Sequence, residues 1–311
     1  MVYDIVIIGA GAAGMTAALY ARRNNKTVMI IEGEQFGGQI ANSPKVENYP
    51  SIKEISGAEL ANNMFEQIVS HGVEFDFGEV ISVNKEGEIF TVKTDSSSYE
   101  GKTVIIANGV KHKHTGVANE EQLVGKGVYY CALCDGPFYE GKEVALIGDA
   151  NTALQYALLL SGYCKKVHVY TIMHKYFADK ALVEALEKKE NIEVTMGYIL
   201  TDLIADNDGK LKTLKFKKFK EEYEGVESFS VDYPALFVAI GQVPDNKRFE
   251  NLVEINKQGY IVADESCTTK TPGVFVAGDT RTKSVRQVAT ATCDGAIAAT
   301  AACLYIDQLN K

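Results

Sequence analysis

Val6-Ile7-Ile8-Gly9-Ala10-Gly11-Ala12-Ala13-Gly14 is an apolar run that ends on three glycines spaced G-x-G-x-x-G. In such a stretch the first glycine makes a tight turn and the second lets a pyrophosphate approach the backbone. The third lets helix and strand pack closely, and the helix N-terminus then faces the phosphates. An acid about 20 residues further on can hold ribose hydroxyls, and Glu32 stands 23 residues after Gly9. A glycine-rich turn alone also occurs without a ligand. Here the pattern predicts a strand over Asp4–Ile8, a helix from about Ala12 to Asn24 and a second strand over Thr27–Ile31, so every part of a dinucleotide site is present.

The turn comes a second time, altered. Ala145-Leu146-Ile147-Gly148-Asp149-Ala150-Asn151-Thr152-Ala153 keeps the first glycine, but Ala150 replaces the second, and Asp149 places a carboxylate beside the phosphate path. At an effective dielectric constant of about 20, like charges about 5 Å apart repel by about 3 kcal/mol. The residue 23 positions after Gly148 is Thr171, followed by Ile172 and Met173. No acid stands there to hold a ribose and no arginine to hold a 2′-phosphate. The second turn reads as a scaffold whose ligand has been lost.

At 311 residues, with 46% apolar residues, 27 glycines and 6 prolines, the chain has room for two domains with separate cores. A net charge of −9 argues against nucleic acid or an anionic membrane as partner. Ile5 to Ala21 is uncharged, but Asp4 precedes it in place of a basic segment. It is also too short to span a membrane, so it reads as buried strand and helix in a cytoplasmic protein. Of the six cysteines only Cys131-Ala132-Leu133-Cys134 are closely spaced; Cys164, Cys267, Cys293 and Cys303 read as single buried thiols. This is no secreted disulfide framework, and His112-x-His114 fits no zinc spacing. The C-x-x-C therefore reads as a redox pair, with no metal expected.

Strand patterns recur at Val73–Phe77, Val80–Val83, Ile89–Thr94 and Thr103–Ala107, then at Glu143–Ile147 and Lys166–Tyr170 around a helix from about Asn151 to Ser161. Leu211 to Tyr223 reads as a lysine-rich surface hairpin strand. The segment after Asp245 is too small for a core of its own, so it completes the first domain. The fold class that results is α/β, with two Rossmann-like, three-layer β/β/α domains. Residues 1–112 and 245–311 form a discontinuous domain, residues 117–240 an inserted one, and residues 113–116 and 241–244 the linkers.

Cys131-x-x-Cys134-Asp135-Gly136, Gly37-Gly38-Gln39, Val46-Glu47-Asn48-Tyr49-Pro50, and Gly273 to Asp279 followed by Arg286-Gln287 resemble the low-molecular-weight, bacterial-type thioredoxin reductases over nearly the whole chain. The resemblance implies FAD in the first domain, with Gly9, Gly11, Ala12, Ala13 and Glu32 at its pyrophosphate and ribose. It implies Gly37, Gly38, Gln39 and Asn48 near the flavin and Val80 at the adenine. Ala107 and Gly109 would close the pocket, Gly278 and Asp279 would meet the ribityl chain, and Arg286, Gln287 and Val288 would approach the ring. Cys134 would face the flavin and Cys131 would attack the protein disulfide. Asp135 would manage protons, unless it is only a helix cap. The inserted domain would turn about its linkers so that the cysteines meet both flavin and thioredoxin, and the enzyme would be a homodimer.

Members of that family carry G-x-G-x-x-A and H-R-R-x-x-x-R for NADPH, where this chain has Gly148 to Ala153 and Thr171-Ile172-Met173-His174-Lys175-Tyr176-Phe177. Every arginine of the pattern is missing. The chain resembles the branch that dispenses with NADPH, the ferredoxin-dependent flavin thioredoxin reductases. A ferredoxin near −400 mV lies well below a thioredoxin near −270 mV, so two electrons fall by about 6 kcal/mol. Basic surfaces that could meet an acidic ferredoxin are Lys111/Lys113, Lys210–Lys220 and Arg281/Lys283/Arg286. The competing readings are a flavin dithiol oxidase that uses oxygen, an NAD(P)H reductase with His174 and Lys175 in place of the arginines, and a redox sensor.

Overall fold

The computed structural model describes residues 1–309 apart from Pro44, Lys45 and Glu47, so Glu47 of the quoted motif lies outside the described residues, as do the last two positions of the discontinuous domain. The chain divides into two compact units: residues 1–111 together with those from 243 on, and His112–Gln242.

The first unit begins with β1 (Val2–Ile8), α1 (Ala12–Arg23), β2 (Val28–Glu32), α2 (Gly57–Ser70), β3 (Glu74–Phe77), β4 (Val80–Glu86), β5 (Ile89–Thr94) and β6 (Ser98–Ile106). The second holds β7 (Lys111–His112, at the crossing), α3 (Glu120–Leu123), β8 (Val128–Tyr129), α4 (Ala132–Asp135), β9 (Glu143–Ile147), α5 (Asn151–Leu160), β10 (Lys166–Thr171) and α6 (Lys180–Glu187). It continues through β11 (Ile192–Met196), β12 (Tyr198–Ala205), β13 (Leu211–Lys218), β14 (Ser228–Asp232) and β15 (Leu236–Val238). The chain returns at β16 (Gln242–Val243) and ends with β17 (Val274–Val276) and α7 (Val288–Leu309).

In the first unit the sheet runs β3-β2-β1-β6-β5-β4, with β17 also on β6. β6 is long enough to serve two layers: Val104–Ile106 pair with β17, and Ser98–Gly101 pair with β5. β1 reads as a continuous apolar run because both its faces are buried. Ile5 and Ile7 pack toward α1 and α7, while Val6 and Ile8 pack toward β4, β5 and Phe249. Ala13, Ala17, Ala18 and Ala21 keep α1 narrow, and Gly295 of α7 lies so close that an added Cβ would stand 2.2 Å from the Ala13 carbonyl oxygen. α7 has the length and apolarity of a membrane span, yet its buried face packs on α1.

The second unit repeats this plan. Its parallel sheet runs β11-β10-β9-β15-β8, with α4, α5 and α6 packed on one face and the antiparallel sheet β12-β13-β14 on the other. Val144 and Leu146 of β9 face the helices, and Ala145 and Ile147 face the small sheet. Each unit thus has the β/β/α layering that the pattern predicts.

Two expectations are corrected, at β13 and at Cys293. β13 is the central strand of its sheet, with Leu211, Leu214 and Phe216 buried, and it ends at Lys218. The chain crosses between units at 111/112, one residue before the expected end of the first segment at 112, and at 242/243, inside the expected linker 241–244. Lys113 N–H donates to Gly241 O (3.0 Å), which holds both segments in the second unit. Cys293 is exposed on α7, unlike buried Cys164, Cys267 and Cys303.

Candidate functional site

In the first unit the glycine turn has the geometry its spacing implies. Gly9 has φ +103°, and a Cβ there would lie 2.4 Å from the Ala107 carbonyl oxygen. A Cβ on Gly14 would lie 1.9 Å from Gly9 O, so the third glycine is what allows α1 to meet the strand. Gly11 caps α1 with no side chain on the first amides, and a Cβ on it would meet nothing within 4 Å. That space, facing the positive end of a 12-residue helix, is where a pyrophosphate fits. Ala12 and Ala13 begin the helix and are buried.

Glu32 closes the turn from β2. One carboxylate oxygen accepts Ala10 N–H (2.6 Å) and the other accepts Glu34 N–H (2.8 Å). Gly37 N–H donates to Ala10 O (2.8 Å), with φ +89° on a backbone pressed against Ala61. Gly38 and Gln39 follow in a 3-10 turn, and Gln39 Nε2 donates to Val110 O. Asn48 Nδ2 donates to Gln287 Oε1 (3.0 Å), which brings two of the expected residues together from positions far apart in sequence. Val80 is buried, Ala107 N–H bonds Ile8 O (2.8 Å), and Gly109 has φ +63°.

Two buried oxygens in this unit have no partner among the described residues, Asp279 Oδ1 and Asn108 Oδ1. A buried acceptor left unpaired costs free energy that a bound hydroxyl or N–H would recover. Burial pushes the Asp279 carboxyl upward in pKa. Asn108 is a site residue the sequence reading passes over, although it sits between Ala107 and Gly109 in the same closing segment. Gly278 donates to Asp294 Oδ2 (3.0 Å), Arg286 Nε donates to Asp279 O (3.2 Å), and the Arg286 guanidinium lies over Tyr260 at 4.1 Å. Val288 starts α7. The orphaned oxygens and the open space over Gly11 suit a bound dinucleotide.

In the second unit Cys131 and Cys134 form a disulfide with Cα atoms 5.3 Å apart. Cys131 caps α4, and Cys134 N–H donates to Cys131 Sγ (3.2 Å), a contact that would steady a thiolate at that sulfur. Ala132 is anchored in the core and Leu133 is exposed. Asp135 is buried, and desolvation pushes its pKa to about 7. His112 and His114 flank the ring of Tyr130, beside Cys131, and Tyr130 OH donates to buried Glu120 (2.8 Å). Among the described residues no three His, Cys, Asp or Glu side chains come together as a metal-binding group.

The second turn superimposes on the first in its hydrogen bonding. Gly148 has φ +147°, and an added Cβ would lie 2.4 Å from Ala239 O, as Gly9 stands to Ala107. Ile147 pairs with Tyr170 as Ile8 pairs with Ile31, which puts Thr171 in the place of Glu32. Thr171 Oγ1 donates instead to Met173 O (2.7 Å). Phe177 N–H donates to Asp149 O (2.7 Å), the counterpart of Gly37 to Ala10, so a phenylalanine side chain stands where the first unit has none. Lys175 Nζ lies 4.5 Å from the Phe177 ring centre. His174 packs on Tyr223 at 4.0 Å, and Asn151 Nδ2 bonds Asp179 (3.0 Å).

The basic candidates are largely satisfied internally. Lys111 pairs with Glu34, Lys215 with Asp202, and Lys217 and Lys218 share Glu227. Arg281 and Lys283 are buried on Asp294 and offer no surface.

Residues 3–295 match the pyridine nucleotide-disulphide oxidoreductase family. The thioredoxin reductase of Bacillus subtilis (strain 168) is 39% identical over 311 residues, covering 100% of this chain and 96% of that protein. The crystal structure of thioredoxin reductase from Streptococcus pyogenes MGAS5005 has TM-score 0.88 and 35% identity, covering 99% of each chain. A ferredoxin-flavin thioredoxin reductase from Clostridium acetobutylicum has TM-score 0.55 and 29% identity, covering 100% of this chain and 99% of that one. With a glycine-turn site in one unit and a C-x-x-C disulfide in the other, the chain belongs to the pyridine nucleotide-disulphide oxidoreductases and, within them, to the thioredoxin reductases.

Proposed function

We propose that this thioredoxin reductase draws its electrons from a reduced ferredoxin and not from NADPH. The observation that carries the reading is the second turn. There Ala150, Asp149, Thr171 and Phe177 stand where the first unit has Gly11, Ala10, Glu32 and Gly37. The likeness to the clostridial ferredoxin-flavin enzyme supports the same donor.

On this reading Gly9, Gly11, Ala12, Ala13 and Glu32 hold the pyrophosphate and ribose of FAD. Gly37, Gly38, Gln39, Asn48, Val80, Ala107 and Gly109 line its pocket, and Gly278, Asp279, Arg286, Gln287 and Val288 meet the ribityl chain and ring. Bound FAD supplies the conversion of single electrons into the pair that a disulfide requires. Reduction would break the Cys131–Cys134 bond, with Cys134 as the sulfur that faces the flavin, and would free Cys131, whose sulfur lies beside the Cys134 amide, to attack the disulfide of thioredoxin. Burial raises the Asp135 pKa to about 7, which suits it to donate a proton to one sulfur and recover it at the next step. The enzyme works as a cytoplasmic homodimer.

Anaerobic addition of NADPH, NADH or reduced ferredoxin, each alone, with the flavin absorbance followed, tests the donor. Rapid bleaching by ferredoxin and none by either nicotinamide is expected. Rapid bleaching by NADPH would sink the reading.

A further inference from the structure

The most buried group of charges in the first unit has no part in the roles above. Asp294, in the second turn of α7, is 3% exposed. Its carboxylate accepts Gly278 N–H (3.0 Å), Arg281 Nε (2.8 Å), Arg281 Nη2 (2.7 Å) and Lys283 Nζ (2.9 Å). The side chains of Arg281 and Lys283 are 9% and 7% exposed. Burial alone would raise the Asp294 pKa; the bonds from Arg281 and Lys283 outweigh it and hold the pKa below the usual carboxylate range.

One carboxylate therefore faces two buried cations. An uncompensated buried charge is costly, so the surplus calls for further negative charge. Asp279, on the turn that begins at Gly278, supplies some of it and feels both Lys283 and Arg286. Arg286 then restores the excess, so the three cations Arg281, Lys283 and Arg286 outnumber the two carboxylates Asp279 and Asp294 by one. An oxidised flavin ring is neutral. When it takes two electrons from a reductant and one proton from water, it becomes singly negative.

We propose that Arg281, Lys283 and Asp294 are positioning residues for the flavin. Asp294 fixes the turn that carries Asp279, and the surplus cation at Lys283 favours the reduced, anionic ring over the oxidised one. This rests on the placement of the Asp279 segment at the flavin given under the proposed function.

The test uses the holoenzyme and the Lys283→Met, Lys283→Arg and Asp294→Asn variants, with the flavin potential measured by anaerobic dye-coupled titration. Lys283→Met is expected to retain oxidised FAD and to lose about tenfold in the preference for the reduced form, a shift of about 30 mV toward the negative for a two-electron couple. Lys283→Arg restores the wild-type potential, and Asp294→Asn moves it positive. If Lys283→Met does not take up flavin, an unmoved potential in Asp294→Asn overturns the proposal by itself. Potentials unmoved in Lys283→Met, with FAD binding weakened in Asp279→Ala, overturn this inference alone. Wild-type FAD affinity in Asp279→Ala overturns the flavin assignment of the segment, and this inference with it.

Discussion

Gly9 and Gly11 answer to different constraints, which mutation can separate. Gly9→Ala forces a Cβ onto the Ala107 carbonyl at a left-handed φ. The expected loss is about 2–5 kcal/mol of stability, read by denaturant unfolding. Gly11, at φ −73° with open space above it, accepts alanine without strain. Gly11→Ala should unfold at the wild-type denaturant midpoint when stripped of cofactor, yet bind FAD at least tenfold more weakly by flavin fluorescence. Glu32→Gln removes a charged acceptor, and a weakening of FAD binding by about 1.5–3 kcal/mol, or roughly ten- to a hundredfold, is expected in the same assay. Asp135 has the opposite sign from most carboxylates. Burial raises its folded pKa to about 7, far above the value near 4 of an unfolded chain. Its contribution to stability is therefore full at acid pH, falls by about 1.4 kcal/mol for each pH unit between about 4 and 7, and stays lost above 7. Melting curves of wild type and Asp135→Asn should diverge over that window; parallel curves would contradict the burial. The sequence names Gly9, Gly11 and Glu32 because spacing marks them, and Asp135 because the resemblance of its C-x-x-C-D-G run marks it. It passes over Asn108, whose unpaired oxygen becomes visible only once β6 and the loop after it are folded.

On the proposed reading, the element that decides the donor is the turn joining β9 to α5, together with the end of β10. Asp149→Gly combined with Ala150→Gly rebuilds the glycine spacing. It does not rebuild the acid at Thr171, and Phe177 stays hydrogen-bonded to the turn. No flavin bleaching by NADPH is expected from this double variant, and bleaching would show that the turn alone excludes the nucleotide. The strands and helices next to each glycine turn were legible because both faces of β1 and β9 are apolar. α2 carries a readable signal at its start, where the Ser56 side chain accepts Glu59 N–H (3.1 Å) as a helix cap. α6 also carries a readable signal, since Leu182, Val183 and Leu186 fall on the one face that packs on the core while its charged residues lie outside.

For the molecule as a whole, composition and charge set the class but not the docking surface. The lysines of β13 look like a basic patch in sequence, and folding brings Asp202 and Glu227 to them. With a net charge of −9 and those lysines paired, attraction at long range is weak. Ferredoxin-driven turnover is therefore expected to vary by less than about threefold with ionic strength, against the ten- to thousandfold effects of steered pairs. A steep fall with salt, measured by stopped flow, would reveal an attractive surface. The duplicated plan also bears on the chain's ancestry. If the two units descend from one copied gene and the second has lost its nucleotide as proposed, Gly148 shows which part of a motif outlives its purpose: it is held by the Ala239 carbonyl, a demand of folding that does not depend on a ligand. The neighbouring positions answer only to the ligand and were free to drift to Asp149 and Ala150. In this chain, then, the second glycine of the turn is the position whose identity follows the ligand, while the first follows the fold.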